Sequence, residues 1–307
     1  MTLAVLLSGQ GGQHPGMFDL TADWPAAAPV FAAAERVLGR DPRDLVRAPG
    51  ADLHGNRTGQ ILCCVAALAG WTVVEAARPA RIVVAGYSIG DLAAWGCAGR
   101  FDVETILRLA AARAEAMDAA SGEGFGLAGL RGLPLARIER LAERHGCHLA
   151  IRNAADSAVV GGAEAALEAL CTEARAAGAL RAVVLAVRTP SHTPLLAEAS
   201  RRFDDILRRE TPQRPKPGAP RLISGLDGAP VFNIEAGLAK LTRQIAHTID
   251  WAACLEACRE YGSDTVLELG PGHALATMAR DLTPQWRVHA LDEFRSAAGA
   301  AAWIGSA

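Results

Sequence analysis

Short apolar runs alternate with longer helical segments along most of the chain. Residues 3–7, 81–85 and 265–269 are apolar or β-branched runs that lead into glycine-containing turns, which is typical of buried strands. Segments 58–77 and 103–117 are predicted helices, the first mostly apolar and the second with an apolar stripe. Further helices are predicted from 89 onward and over 195–209, 238–244 and 251–261, with a short strand over 222–224. Strands that alternate with helices indicate an open parallel sheet with helices on both faces.

A second pattern interrupts the first after the glycines at 122, 124 and 126. It runs strand, helix, strand, strand, helix, strand over 125–130, 135–145, 148–153, 158–161, 163–177 and 181–187. This order is that of a ferredoxin-like module. We therefore predict an α/β protein: an α/β-hydrolase-like large subdomain with a parallel sheet (1–122 and 190–307) and an inserted ferredoxin-like small subdomain (123–189).

Composition narrows the choice of partners. Half of the 307 residues are hydrophobic and the net charge is −2, so neither a nucleic acid nor a membrane surface is indicated as a partner. No apolar run approaches the ~20 residues that span a bilayer, and no basic leader opens the chain, so a cytoplasmic location is expected. The seven cysteines show no metal-binding spacing and are predicted to be buried thiols, with no metal and no cofactor.

Gly86-Tyr87-Ser88-Ile89-Gly90 has the pattern Gly-x-Ser-x-Gly between a predicted strand and a predicted helix. That context is typical of a nucleophile elbow, in which a sharp turn between glycines raises the serine oxygen above the sheet. The alternative is a plain turn with a capping serine. We favour a nucleophilic Ser88.

A serine nucleophile needs a base, and His192 is the favoured one of eight histidines. It lies between Pro190 and Pro194, where the predicted insertion rejoins the main body, and a rigid turn positions a base well. His273, just after the last predicted strand, is the rival.

Gln10 lies in the turn after the first strand, and such turns line the crevice at the carboxyl ends of parallel strands. An oxyanion hole is therefore expected from the backbone N–H of Ile89 and a donor in this turn, such as that of Gln10. The glycine-rich segment 8–13 is not predicted to bind a dinucleotide, because His14 stands where a third glycine is needed.

Arg113 lies on an alanine-rich helix, and two interpretations of it stay open. A buried arginine needs an anionic partner, and a substrate carboxylate would pair with it in a bidentate manner. On the surface it would instead pair with Glu115 or Asp118.

Taken in order, these residues resemble the malonyl-CoA:acyl carrier protein transacylases over nearly the whole chain. The matching segments are the turn Ser8 to Gln13, the elbow Gly86 to Gly90, Arg113, Pro190-Ser191-His192, Gln244 and Gly270-Pro271-Gly272. The resemblance implies a ferredoxin-like insertion and malonyl transfer from coenzyme A through Ser88 to an acyl carrier protein. It also implies that Arg113 binds the malonyl carboxylate, that the Gln244 carbonyl orients His192, and that Ser191 leaves room for the acyl group.

Two residues depart from the family pattern: Tyr87 stands where histidine is usual, and Ser8 where proline is usual. The elbow sequence is more similar to that of the epsilon subunit of malonate decarboxylase, which loads a dedicated carrier subunit. We therefore predict that the chain belongs to the malonate decarboxylase branch, with other decarboxylase subunits as further partners. The alternative is a transacylase of fatty-acid synthesis.

Other functions remain as rivals. A serine hydrolase or thioesterase would use Ser88, Asp227 or Asp264, and His273 in that chain order. A binding scaffold without turnover is the rival outside enzymes. The arginine pairs 201–202 and 208–209 would suit an acidic carrier, but a solvated helix face explains them more simply.

Overall fold

The computed structural model describes residues 2–77, 79 and 81–306. The strands are β1 (Thr2–Leu7), β2 (Arg81–Gly86), β3 (Phe125–Arg131), β4 (His148–Ala154), β5 (Ser157–Ala163), β6 (Arg181–Val184), β7 (Arg221–Ile223), β8 (Ile249–Asp250), β9 (Thr265–Leu269) and β10 (Arg287–Ala290). The helices are α1 (Ala28–Leu38), α2 (Pro42–Leu45), α3 (Asn56–Ala76), α4 (Ile89–Cys97), α5 (Val103–Ala120), α6 (Leu135–Arg144), α7 (Glu164–Ala176), α8 (Ala197–Leu207), α9 (Ile234–Arg243), α10 (Trp251–Glu260), α11 (Ala274–Leu282) and α12 (Ala297–Gly305).

The larger sheet is parallel throughout, with the strand order β10-β9-β1-β2-β7. Its central strand β1 is buried along its whole length. At the carboxyl end of β1, Leu7 pairs with Gly86 of β2 on one side and with Leu269 of β9 on the other. The turns after these three strands therefore meet at one edge of the sheet, as predicted.

Side chains of β1 alternate between two separate apolar cores. Leu3, Val5 and Leu7 pack in a cluster with residues of α1, α3, α4, α5 and α8, while Ala4 and Leu6 pack on the opposite face with residues of α10 and α11. A strand that is apolar on both faces requires cover on both sides. The prediction of helices on both faces of a parallel sheet is confirmed.

Helix α3 corrects one expectation from the sequence. By length and composition it could cross a membrane, since it has 21 residues and its most apolar 18-residue window has a mean hydropathy of 1.5. However, 83% of its most apolar window is buried inside the structure. A helix that is apolar and buried on nearly all sides is typical of a protein core, and α3 lies in the larger apolar cluster.

The smaller sheet has the order β6-β3-β5-β4-β8. Its first four strands pair in an antiparallel manner, and α6 and α7 pack on one face through Ile138, Leu141, Leu167 and Leu170. This is the predicted ferredoxin-like arrangement, and the fold class is confirmed. The bounds 123–189 stay a prediction, and β8, which lies outside them, pairs in parallel with β4.

Several elements differ from their predicted bounds. The strand predicted over 181–187 ends at Val184, and the helix predicted over 195–209 starts with a 3-10 turn and spans Ala197–Leu207. Elements α1, α2, α11, α12, β8 and β10 were not predicted. Most of them are short, and α12 is so rich in alanine that it shows little contrast between apolar and polar faces.

Candidate active site

Ser88 lies at a tight turn between β2 and α4, with a φ of 56°. This left-handed backbone is strained for a residue with a side chain. A Cβ at Gly86 would lie 2.1 Å from the backbone N of Asp91, and one at Gly90 would lie 2.1 Å from the Leu7 carbonyl oxygen. Both flanking glycines are therefore sterically required, which is the geometry of a nucleophile elbow.

The turn after β1 packs directly against this elbow. A Cβ at Gly9 would lie 2.9 Å from the Tyr87 carbonyl oxygen and 3.5 Å from the Ser88 Cβ. Gln10 follows at once, so its backbone is close to the serine. In the described part of the chain, no hydrogen bond is donated by the backbone N–H of Gln10 or of Ile89. Both N–H groups are therefore without a partner among the described residues, and their role in an oxyanion hole stays a prediction.

His192 lies beside the serine. Its Nε2 is 2.8 Å from Ser88 Oγ, and its Nδ1 is 2.5 Å from the backbone oxygen of Gln244. The backbone N–H of His192 donates to the Ile245 carbonyl at 2.8 Å, and its φ is 64°. The imidazole is thus held at its ring and at its backbone by two consecutive carbonyls.

These contacts determine the protonation state of His192. A carbonyl only accepts hydrogen bonds, so Nδ1 carries the proton and Nε2 is left to accept the Ser88 hydroxyl proton. Burial, and next the positive charge of Arg113, lower the pKa of His192 to about 3, against a small opposing effect of the Gln244 carbonyl. The imidazole is therefore neutral at neutral pH, the form that a general base needs.

Arg113 is buried, with 1% of its surface exposed, so the surface interpretation is excluded. Its Nη1 donates to Gln60 Oε1 at 2.6 Å, whereas its Nε and Nη2 have no partner among the described residues. Glu115 instead pairs with Arg57, and Asp118 with Asn56. Burial lowers the pKa of Arg113 to about 10, so it stays charged at neutral pH. Two free donors on a buried cation suit a carboxylate.

The remaining predicted site residues fall into two groups. Ser191 is buried beside His192, and its hydroxyl faces the Thr189 carbonyl at 3.4 Å. His273 is exposed, and Ser88 Oγ is bonded to His192 instead. Asp227 pairs with Lys240, and Asp264 accepts from the Thr2 backbone N–H. The Ser88, Asp, His273 arrangement of the hydrolase rival is not assembled.

Sequence reasoning missed Gln60 and Asp91. Gln60 is a fully buried amide on α3 and is the one protein partner of the Arg113 guanidinium among the described residues. A lone glutamine inside a mostly apolar helix was the available signal, since buried amides need partners. Asp91 gave no such signal, because an acidic residue in the first turn of a helix is ordinary.

Neither metal ligands nor a free arginine face on α8 appear in the described ranges. They contain no group of three or more His, Cys, Asp or Glu side chains that could hold a metal ion. Arg201 and Arg202 both pair with Glu198, and Arg208 pairs with Asp204. Three of the arginines considered for carrier docking are therefore already paired with acidic residues of α8.

Comparison of the sequence with known proteins gives consistent matches. The family model described as an acyl transferase domain matches residues 5–284. A malonyl CoA-acyl carrier protein transacylase from Escherichia coli is 30% identical over 298 residues, covering 94% of this chain and 96% of the relative. One from Mycobacterium tuberculosis is 29% identical over 285 residues, covering 91% of this chain and 92% of the relative.

Solved structures agree with these matches. An acyl-carrier-protein S-malonyltransferase from Burkholderia pseudomallei has a TM-score of 0.90 at 27% identity, over 98% of this chain and 100% of that one. A malonyl-transacylase solved in complex with a type II PKS acyl-carrier protein has a TM-score of 0.90 at 28% identity, over 98% of this chain and 99% of that one. The similarity thus extends over both subdomains.

Proposed function

This chain belongs to the acyl transferase domain family, and from that premise we propose that it moves a malonyl group from malonyl-CoA, through an ester on Ser88, to the thiol of an acyl carrier protein. The observation that carries the proposal is the buried Arg113 guanidinium with two unpaired nitrogens. It supports a carboxylated acyl group in a protein that already carries a serine and histidine pair.

The first half of the reaction makes the acyl-enzyme. His192 Nε2 takes the Ser88 proton as Oγ attacks the thioester carbonyl carbon. The oxyanion that forms is bound by the free N–H groups of Gln10 and Ile89, and removing one such donor typically costs ~3 kcal/mol of transition-state stabilisation. The carbon–sulfur bond then breaks, the coenzyme A sulfur takes the proton from His192, and malonyl-Ser88 remains.

The second half reverses these steps with a different thiol. The carrier's thiol gives its proton to His192 and attacks the ester carbonyl, the carbon–oxygen bond breaks, and Ser88 Oγ takes the proton back. The Gln244 carbonyl holds the imidazole in one tautomer throughout. Unlike a carboxylate, a neutral carbonyl does this with little extra stabilisation of the imidazolium.

Arg113 gives the enzyme its preference for a carboxylated acyl group. A malonyl carboxylate satisfies the free Nε and Nη2 in a bidentate pair. An acetyl group leaves both donors unpaired in a buried site, which costs free energy. The small side chain of Ser191 leaves room beside the base for the acyl group.

The comparisons favour the acyl carrier protein of the fatty-acid-synthesis transacylases over the carrier subunit of malonate decarboxylase. The relatives reported above are named as malonyl CoA-acyl carrier protein transacylases, and one neighbour is bound to an acyl-carrier protein. The malonate decarboxylase branch has only the elbow residues, such as Tyr87, in its favour. We therefore propose an acyl carrier protein with a phosphopantetheine-type arm as the acceptor, and no cofactor beyond the substrates.

Mass spectrometry of the intact protein tests the proposal. Mixing with malonyl-CoA is expected to add one malonyl unit, which peptide mapping assigns to Ser88 and which Ser88→Ala abolishes. Adding a holo acyl carrier protein is expected to discharge the adduct onto the carrier. A binding scaffold would show no adduct, and a thioesterase would release free malonate without loading the carrier.

The histidine variants separate acyl transfer by His192 from the hydrolase rival. His192→Ala is expected to abolish the adduct, whereas His273→Ala is expected to load at the wild-type rate, because His273 is exposed and Ser88 Oγ is hydrogen-bonded to His192 instead. The reverse pattern would establish the hydrolase arrangement and end the proposal.

A further inference from the structure

A buried carboxyl lies behind the histidine and takes no part in the mechanism above. Asp91 is on the first turn of α4, three residues after Ser88, and 1% of its surface is exposed. Its Oδ2 accepts a hydrogen bond from Gln244 Nε2 at 2.8 Å, and its Oδ1 has no partner among the described residues. Burial of a carboxyl is costly, so its presence here calls for a reason.

Gln244 connects this carboxyl to the base. Its side-chain amide is bonded to Asp91, and its backbone oxygen accepts from His192 Nδ1. Gln244 caps the C-terminus of α9 and is fully buried. Ser88 is the N-cap of α4, and Asp91 lies in the first turn of the same helix. The contact from Asp91 to Gln244 therefore fixes the position of the Gln244 carbonyl, which orients His192, relative to Ser88.

We propose that Asp91 is a positioning residue for His192: it holds the Gln244 amide so that the Gln244 carbonyl keeps the imidazole aimed at Ser88. This inference rests on the proposed function in one respect, namely that His192 acts as the base. Hydrogen bonds then connect Ser88 to His192, His192 to Gln244, and Gln244 to Asp91. In a serine–histidine–aspartate triad the carboxyl contacts the imidazole directly, whereas here Gln244 lies between them.

The packing around Asp91 is specific to this contact. A Cβ at Gly225 would lie 2.4 Å from the Gly86 carbonyl oxygen and 2.8 Å from Asp91 Cγ. Glycine at 225 therefore leaves the space in which the carboxyl lies.

The hydrogen-bond acceptor, and not the negative charge, is the feature that matters. Burial raises the pKa of Asp91 to about 8, and the positive charge of Arg113 offsets this only in part. A carboxyl oxygen accepts from the Gln244 amide in either protonation state. An asparagine at 91 offers the same acceptor, whereas an alanine offers none.

The test is the rate of malonyl-Ser88 formation at saturating malonyl-CoA, followed by quenched-flow mass spectrometry. Asp91→Ala is expected to lower this rate by up to about 100-fold, the typical effect of a small misplacement of a catalytic group, with KM nearly unchanged. Asp91→Asn is expected to restore it. Gln244→Ala, which removes the amide and keeps the carbonyl, is expected to match Asp91→Ala.

A double variant tests whether the two residues act through one contact. Asp91→Ala with Gln244→Ala is expected to be no slower than either single variant, because residues that act through the same interaction are not additive. Additive losses would overturn the proposal, as would an Asp91→Ala protein that loads at the wild-type rate or an Asp91→Asn protein as slow as Asp91→Ala.

Two controls keep the outcome interpretable. Leu170→Ala, in the core of the smaller sheet, lowers stability away from the site and is expected to leave the loading rate unchanged. The NMR signal of the His192 Nδ1 proton is expected to be present in the wild type and in Asp91→Asn and to be lost or exchange-broadened in Asp91→Ala. This signal requires no turnover, so it still tests Asp91 if the wild type forms no malonyl-Ser88 at all.

Discussion

Arg113 is a residue whose role depends on its burial, which the sequence alone does not show. The sequence left a buried and an exposed interpretation open, because an arginine on an alanine-rich helix carries no mark of its burial. The structure excludes the exposed one, through the unpaired Nε and Nη2 and the short contact to Gln60. A guanidinium that is buried and only partly satisfied is the clearest indication of substrate chemistry in the chain.

Replacing Arg113 is expected to change the acyl preference. Arg113→Met removes the charge and the two free donors, so malonyl loading of Ser88 should fall by about 100-fold, the scale of one to two hydrogen bonds to a charged group. Acetyl loading should stay the same or rise. Competing malonyl-CoA and acetyl-CoA in one tube, with the two adducts counted by mass, measures the ratio; an unchanged ratio would contradict the assignment.

The pH dependence of Ser88 reactivity follows from the lowered pKa of His192. In the free protein the imidazole should stay neutral well below pH 6.5, so a fluorophosphonate probe should label Ser88 at a nearly constant rate from pH 8 down to about pH 5. Because Arg113 also lowers this pKa, Arg113→Met should move the acidic loss of labelling to higher pH. Wild-type labelling that is lost near pH 6.5 would contradict the burial argument.

The residues of the site could be predicted only where a local sequence pattern surrounds each of them. Ser88 and His192 are marked by glycines and prolines that restrict the backbone, and the structure brings them to 2.8 Å. Asp91 and Gln60 carry no local mark. Their importance lies in contacts with residues 153 and 53 positions away, which no local pattern reports.

Among the elements, the elbow between β2 and α4 depends most on its sequence. Its two glycines each avoid a clash at 2.1 Å with backbone atoms, which no side-chain movement relieves. The Ser88 backbone at a φ of 56° is held by this packing. The elbow therefore combines a requirement of stability with the positioning of the proposed nucleophile.

Gly90→Ala is expected to destabilise the protein by about 3 kcal/mol or more, because its Cβ would meet the Leu7 carbonyl of the central strand. Urea unfolding followed by circular dichroism measures the change. Gly305→Ala in α12 is the matched control, since nothing lies within 4 Å of its Cβ, and it should be neutral or slightly stabilising. Equal effects of the two substitutions would contradict this account of the elbow.

The longest apolar segments of the chain were predicted, whereas several short elements were not. Strands β1, β2 and β9 and helices α3 and α5 follow from apolar runs and stripes. The bounds of β9 are as predicted, and those of the other four elements shift by one to three residues. Strand β8 has two residues and exists only through its pairing with β4. Its formation is a tertiary event, which the local sequence does not encode.

At the scale of the whole molecule, two subdomains meet around the site. Tyr87 of the elbow bonds to Asn153 of β4 through its hydroxyl at 3.2 Å, and its ring packs edge-on against Trp251 of α10. With the pairing of β4 and β8, this joins the smaller sheet to the catalytic elbow. Tyr87, a departure from the family pattern, therefore has a structural function here as a link between the subdomains.

Stability of the whole chain is expected to depend on pH through Glu268. Burial raises its pKa from 4.5 to about 7, although it accepts hydrogen bonds from Ser8 and the Ala276 backbone. An acid whose folded pKa is raised contributes stability that is present below pH 4.5 and lost as pH rises through 7. The loss is on the order of 3 kcal/mol.

Comparing the wild type with Glu268→Gln isolates this contribution, because the other groups that titrate are common to both proteins. Among them, the lowered pKa of His192 acts in the opposite direction, adding stability above pH 6.5 that is lost as pH falls. Urea unfolding at pH 5 and pH 8 should show that the free energy of unfolding falls less between these two pH values in the variant than in the wild type. Parallel pH curves for the two proteins would show that Glu268 is not the group responsible.

A crystal structure of the protein after loading with malonyl-CoA tests the central claim most directly. The account predicts an ester on Ser88 Oγ, its carbonyl oxygen at the N–H groups of Gln10 and Ile89, and its carboxylate bound by the Nε and Nη2 of Arg113. A malonyl group attached elsewhere, or a carboxylate that leaves those two nitrogens unpaired, would contradict it.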